Sequence, residues 1–108
     1  MNTLIDKTQN LVTLINVFLV DPVNQQRLLK VLVEATENVM RNLPGFISAN
    51  LHASLDGKNI VNYAQWARVE DFQNMLAHEE AQVHMMEASN LSIKIEPNLY
   101  SVNHIDHI

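Results

Sequence analysis

The chain has 108 residues, 47% of them hydrophobic, with a formal net charge of -5 and no cysteine. One domain with one core suits that length; seven scattered Lys and Arg exclude a nucleic-acid surface, and the lack of cysteine excludes disulfides, thiolate catalysis and Cys-built metal sites. The longest apolar run, Leu11 to Val20, is interrupted by Thr13 and Asn16 and is too short to span a bilayer, and no basic and apolar signal opens the chain, so a soluble cytoplasmic protein without a membrane partner is expected.

Residues 1–10 are polar and unpatterned and read as a flexible N-terminal arm, leaving 11–108 as the single domain. A first strand is expected over Leu11 to Val20. Its Val12, Leu14, Asn16, Phe18 and Val20 share one face and Thr13, Ile15, Val17 and Leu19 the other, both largely apolar. Asp21 offers an N-cap and Pro22 suits the first helical position. Leu28, Leu32, Ala35, Val39 and Leu43 then recur at helical spacing until Pro44 and Gly45 end the helix.

Phe46 to Ser54 resumes a strand pattern, and Leu55-Asp56-Gly57-Lys58 is a hairpin signal leading into a third strand, Asn59 to about Arg68. A second helix follows, with Glu70 and Asp71 in its first turn and Phe72, Met75 and Leu76 on its buried side. Glu79 to Ala88 forms another short helical segment, and a last strand is expected near Leu99 to His104. The order βαββαβ specifies an α+β, ferredoxin-like fold: one antiparallel sheet with helices on one face. Two helices cover one face only, while the first strand is apolar on both. A homodimer in which two sheets pack together, burying residues such as Ile15, Val17, Tyr63 and Gln65 or their opposite-face counterparts, answers that imbalance.

The run Val61 to Trp66 carries the chemistry. Asn62, Ala64 and Trp66 point one way, setting an amide and the only tryptophan on one strand face. A buried strand amide must find partners or cost stability, which suits a ligand cleft better than a core. Asn16 poses the same question on the first strand. His84 brings an imidazole, the side chain most often used for acid–base work; His52 has a lesser claim, and Met75, Met85 and Met86 supply flexible apolar lining. His104 and His107 sit in a terminal tail, a poor rigid support for metal, so no metal or cofactor site is expected.

With this order in place, the sequence resembles the antibiotic biosynthesis monooxygenase family. The resemblance rests on LPGFISANLHASLDG (Leu43 to Gly57) and IVNYAQW (Ile60 to Trp66), with weaker likeness in DFQNML and AQVHM, and covers about residues 11–104. It implies a dimeric α/β barrel. In the quinone-forming branch it also implies oxygenation by O2 of a small phenolic or polyketide-like aromatic, such as an anthrone, without metal, flavin or haem. Asn62 and Trp66 match family site positions. That branch also uses a tyrosine and an arginine, and ungapped continuation from Trp66 places Phe72 and Met86 there. The resemblance supplies Asn62 and Trp66 for catalysis and Phe72 and Met86 for the substrate cleft; the residue reading adds His84 as replacement base, and Asn16 and Met75 to the cleft. Two other roles occur on this fold: a small-ligand-binding or stress-response domain without turnover, and a haem-binding or haem-degrading protein using Asn16 and His84.

Overall fold

Asp21 turns the chain from the first strand into the first helix. In the computed structural model, which describes residues 2–108, its carboxylate accepts a hydrogen bond from the Val23 amide at 3.0 Å. Pro22 opens a short 3-10 turn, Pro22–Asn24. The elements are β1 (Val12–Leu19), α1 (Gln25–Asn38), β2 (Phe46–Ala53), β3 (Asn59–Trp66), α2 (Val69–Ala77), α3 (Glu79–Leu91) and β4 (Lys94–Tyr100), with a second 3-10 turn over Met40–Asn42. The sheet runs β2-β3-β1-β4 and every pairing is antiparallel. This is the ferredoxin-like α+β arrangement. None of the helices among the described residues is long and apolar enough to cross a membrane.

Three boundaries depart from the sequence reading. The first helix ends at Asn38, and a separate 3-10 turn over Met40–Asn42 replaces the stretch expected to carry it to Pro44. The last strand starts at Lys94 rather than near Leu99 and runs through Pro97. Proline removes a ladder donor, which a sheet interior does not tolerate, but β4 is an edge strand paired only with β1. The third helix continues past Ala88 to Leu91, where the Ser92 hydroxyl bonds back to the Ala88 carbonyl at 2.7 Å.

Cross-strand register decides which side chains meet beneath the helices. Rows across β2, β3 and β1 read Ala53, Ile60, Phe18; then Leu51, Asn62, Asn16; then Ala49, Ala64, Leu14; then Phe46, Trp66, Val12. A bulge at Ile47 keeps Phe46 and Ala49 both on this face. Two apolar clusters result. One gathers Phe18, Val20, Leu28, Val31, Ile60 and Ala88, and the other Leu14, Val39, Ala64, Trp66, Phe72, Met75 and Ala81. The asparagine row lies between them. Leu28, Ile60 and Val20 are fully enclosed, each contributing roughly 1.5–3 kcal/mol by burial.

Side-chain clips brace this frame. Gln25, buried at the start of α1, donates from Nε2 to the carbonyls of Ser54 and Asn59, both at 3.0 Å, and so fastens the hairpin ends to the helix. Arg68 and the buried Asp71 pair through two bonds of 3.1 and 3.2 Å at the start of α2. On the other sheet face, the arm is tied at two points. Thr3 donates to the Asn50 side chain at 2.7 Å, and the Gln65 amide donates to the Leu4 carbonyl at 2.7 Å. Gln65, expected at a dimer face, is therefore only 3% exposed within a single chain.

Candidate active site

Ala49 and Ala64 are small residues in the middle of the helix-facing sheet surface, and above them the helices do not close down. A cavity of about 190 Å3 remains. Its floor is the sheet, with Asn16, Asn62 and Trp66 among its side chains. Its roof comes from Leu32, Ala35 and Thr36 of α1, Phe72 and Met75 of α2, and His84 and Met85 of α3. Apart from the imidazole, no ionisable side chain among the described residues lines it.

The polar atoms in this lining are informative. Asn16 and Asn62 face each other directly across the β1–β3 ladder, a relation that sets Cβ atoms about 5 Å apart. Their Oδ1 atoms, and Nδ1 of His84, are buried without a hydrogen-bond partner among the described residues. Such atoms ordinarily find partners in a protein interior, and three of the five among the described residues, two on the floor and one on the roof, line this one cavity. Trp66, 2% exposed, forms the end of the floor, and the Phe46 ring meets it edge-on, with centroids 5.6 Å apart and an interplanar angle of 87°. That contact holds the indole plane in place.

Six of the seven residues assigned to catalysis or the cleft meet here: Asn16, Asn62, Trp66, Phe72, Met75 and His84. Met86 does not. It is 66% exposed and points away, and Met85 lines the cavity instead. Helical phase explains the correction, because Ala81, His84, Met85 and Ala88 lie at the i, i+3, i+4, i+7 positions of one α3 face, and residue 86 falls outside that stripe. The α1 and Met40 contributions to the wall were not anticipated, since their periodicity reads equally well as plain core. His52, on β2, is exposed with Nδ1 3.1 Å from the Asn50 carbonyl and lies outside the cavity. Among the described residues no group of three or more His, Asp or Glu side chains is placed to hold a metal.

Comparison with known proteins gives this geometry its context. Tetracenomycin-F1 monooxygenase of Streptomyces glaucescens is 46% identical over 80 residues, 74% of this chain and 71% of that protein. The monooxygenase from the ActVA-Orf6 gene of Streptomyces coelicolor, solved in complex with nanaomycin D, superimposes with a TM-score of 0.80 at 26% identity, covering 90% of this chain and 91% of that one. SnoaB of Streptomyces nogalater, a cofactor-independent oxygenase, shares the fold with a TM-score of 0.74 at 24% identity over 89% of this chain and 96% of that one. The model of the antibiotic biosynthesis monooxygenase family matches residues 11–86, which include both asparagines, the tryptophan and His84, and the chain belongs to that family.

Proposed function

We propose that the protein is a cofactor-independent monooxygenase that oxidises a phenolic, polyketide-like aromatic of the anthrone type with O2. The observation that carries this reading is the cavity itself: an enclosure of mainly aromatic and apolar side chains whose polar groups include two facing amides and one imidazole beside the Trp66 indole and the Thr36 hydroxyl, the last bonded to the Leu32 carbonyl. The relatives' named activities support it.

The chemistry needs little from the protein beyond placement. A ring methylene of the substrate loses a proton to His84, the basic group in the lining. The carbanion passes an electron to O2, and recombination of the radical pair forms a carbon–oxygen bond. Protonation by the His84 imidazolium gives a hydroperoxide. Loss of the remaining methylene proton and cleavage of the O–O bond leave a carbonyl on the ring, while the second oxygen departs as water. The Asn62 and Asn16 amides stabilise charge building on the substrate oxygen, Trp66 and Phe72 hold the ring system flat, and the apolar roof keeps water from the peroxide. Homodimerisation through the open sheet face, where Ile15, Val17 and Tyr63 remain half-buried, belongs to the same proposal.

Oxygen uptake by chelator-treated protein with a panel of anthrones and hydroquinones tests the reading, run beside the Asn62→Ala variant. Uptake that survives chelation and falls in the variant is expected. A rate no greater than the spontaneous one, alongside ligand-induced stabilisation of the fold, would instead make the protein a binding domain.

A further inference from the structure

We infer that Met85 is an oxygen-acceptor site: its thioether takes an oxygen atom from an organic hydroperoxide held in the cavity and becomes a sulfoxide, so that the protein ends its own activity after repeated turnover. The hydroperoxide rests on the oxygenase reading, and the choice of Met85 on geometry. The chain has no cysteine, so no thiol competes for peroxide. Of its five methionines, Met40, Met75 and Met85 line the cavity, whereas Met86 is 66% exposed and points away. A thioether is polarizable and flexible and brings its sulfur lone pairs to the cavity wall.

Position selects among the three. The hydroperoxide forms on the ring carbon that His84 deprotonates, and Met85 follows His84 on the face of α3 that roofs the cavity. Met75 is 6% exposed and belongs to the buried cluster with Leu14, Trp66 and Phe72, where a sulfoxide oxygen would be buried without a partner. Met85 only borders that cluster and is half-buried. Met40 stands on the 3-10 turn after α1, away from the helix that carries His84. The Met85 sulfur attacks the distal peroxide oxygen, the O–O bond breaks and an S–O bond forms. Sulfur gives up two electrons, and the hydroperoxide proton ends on the oxygen left on the ring, which becomes an alcohol. This step competes with loss of the remaining methylene proton and departure of water. It turns a flexible apolar side chain of the roof into a polar one, which opposes the binding of an apolar ring system.

Met86, the next residue along, makes the test direct, because it reports oxidation from bulk solvent in the same peptide. The unaltered protein is turned over with an anthrone under isotopically heavy O2, with catalase removing free hydrogen peroxide, and its digest is sequenced by mass spectrometry. Heavy sulfoxide at Met85, severalfold above that at Met86, is expected; the isotope separates oxygen delivered during turnover from oxygen picked up in handling. A second arm supplies the peroxide directly. With cumene hydroperoxide, an apolar aromatic probe, Met85 is expected to be oxidised ahead of Met86, and with hydrogen peroxide alone the exposed Met86 ahead of Met85. Oxygen uptake without heavy sulfoxide at Met85, or with as much at Met86, overturns the inference and keeps the oxygenase. No uptake above the spontaneous rate removes the oxygenase, and the cumene hydroperoxide arm then decides: Met85 ahead of Met86 keeps the acceptor site, and equal or reversed oxidation overturns it. Met85→Leu, followed against its own starting rate, should sustain severalfold more turnovers than the parent before its activity halves; an equally fast decay overturns the claim that this oxidation ends activity. The isotope comparison decides even where that variant fails to fold.

Discussion

Asn16 and Asn62 pose a conflict between stability and use at the scale of single residues. Each keeps a buried oxygen without a protein partner, and an unsatisfied group of this kind costs about 1–3 kcal/mol. Replacing both with leucine should join the two apolar clusters that flank them. We expect the double variant Asn16→Leu/Asn62→Leu to melt several degrees higher by calorimetry while losing its oxygen uptake; a lower Tm would show that the amides support the fold. His84→Ala should reduce turnover at least tenfold with little change in ligand affinity, measured as a split between kcat and KM, since a base acts on the proton and not on binding. The pairing of Asn62 with Trp66 was legible because a strand alternates with period two. The choice between Met85 and Met86 was not, because the phase of a helix depends on where it sits against its neighbours, which carry-over by residue count cannot supply.

Among the elements, the two turns that set the site are held differently. Gly45 has φ +82, and a Cβ there would run into the Asp71 carboxylate, which Arg68 holds in place. Its carbonyl also accepts from the Ala67 amide at 2.7 Å, so the start of β2 and the start of α2 are fixed together. Gly45→Ala should therefore destabilise the protein by more than the roughly 1–2 kcal/mol that left-handed backbone costs a side chain, as read by denaturant titration. In the hairpin turn, the Asp56 carboxylate accepts from the Lys58 amide at 2.9 Å and from the Ser54 hydroxyl at 2.7 Å. The Lys58 amide first, then Ser54, holds its pKa below the ordinary 3.8. A lowered carboxyl pKa stabilises the fold above the ordinary value and ceases to as pH falls through the folded one. Asp56→Asn should thus be less stable than the parent at pH 7, with the gap closing below about pH 4. The hairpin was visible from Asp-Gly alone. Gln25 was not, since its bonds to Ser54 and Asn59 span 29 and 34 residues and leave no local pattern.

For the molecule as a whole, the element order was readable because each strand and helix shows its own period and each turn its own punctuation. What composition left open was how the sheet's second face is occupied. Part of the answer lies within the chain, where the arm bonds to Asn50 and Gln65 and presents Leu4 and Ile5 at 61% and 47% exposure. In the proposed dimer these two side chains extend the apolar surface available to a second copy. Deleting residues 2–6 should weaken the dimer, seen by light scattering as a mass that falls toward that of one chain on dilution. A monomeric mass for the intact protein at micromolar concentration would remove the dimer altogether.

Among the described residues no carboxylate, ammonium or guanidinium lines the cavity, and a site so lined responds little to ionic strength. Dissolved salt screens interactions between charges, with a reach of roughly 10 Å at 0.1 M, and a neutral phenol among amides and hydrocarbon offers little for it to screen. KM should stay nearly constant as sodium chloride rises from about 0.05 to about 0.5 M, whereas recognition of an ionised substrate by a fixed countercharge would weaken steadily over that range.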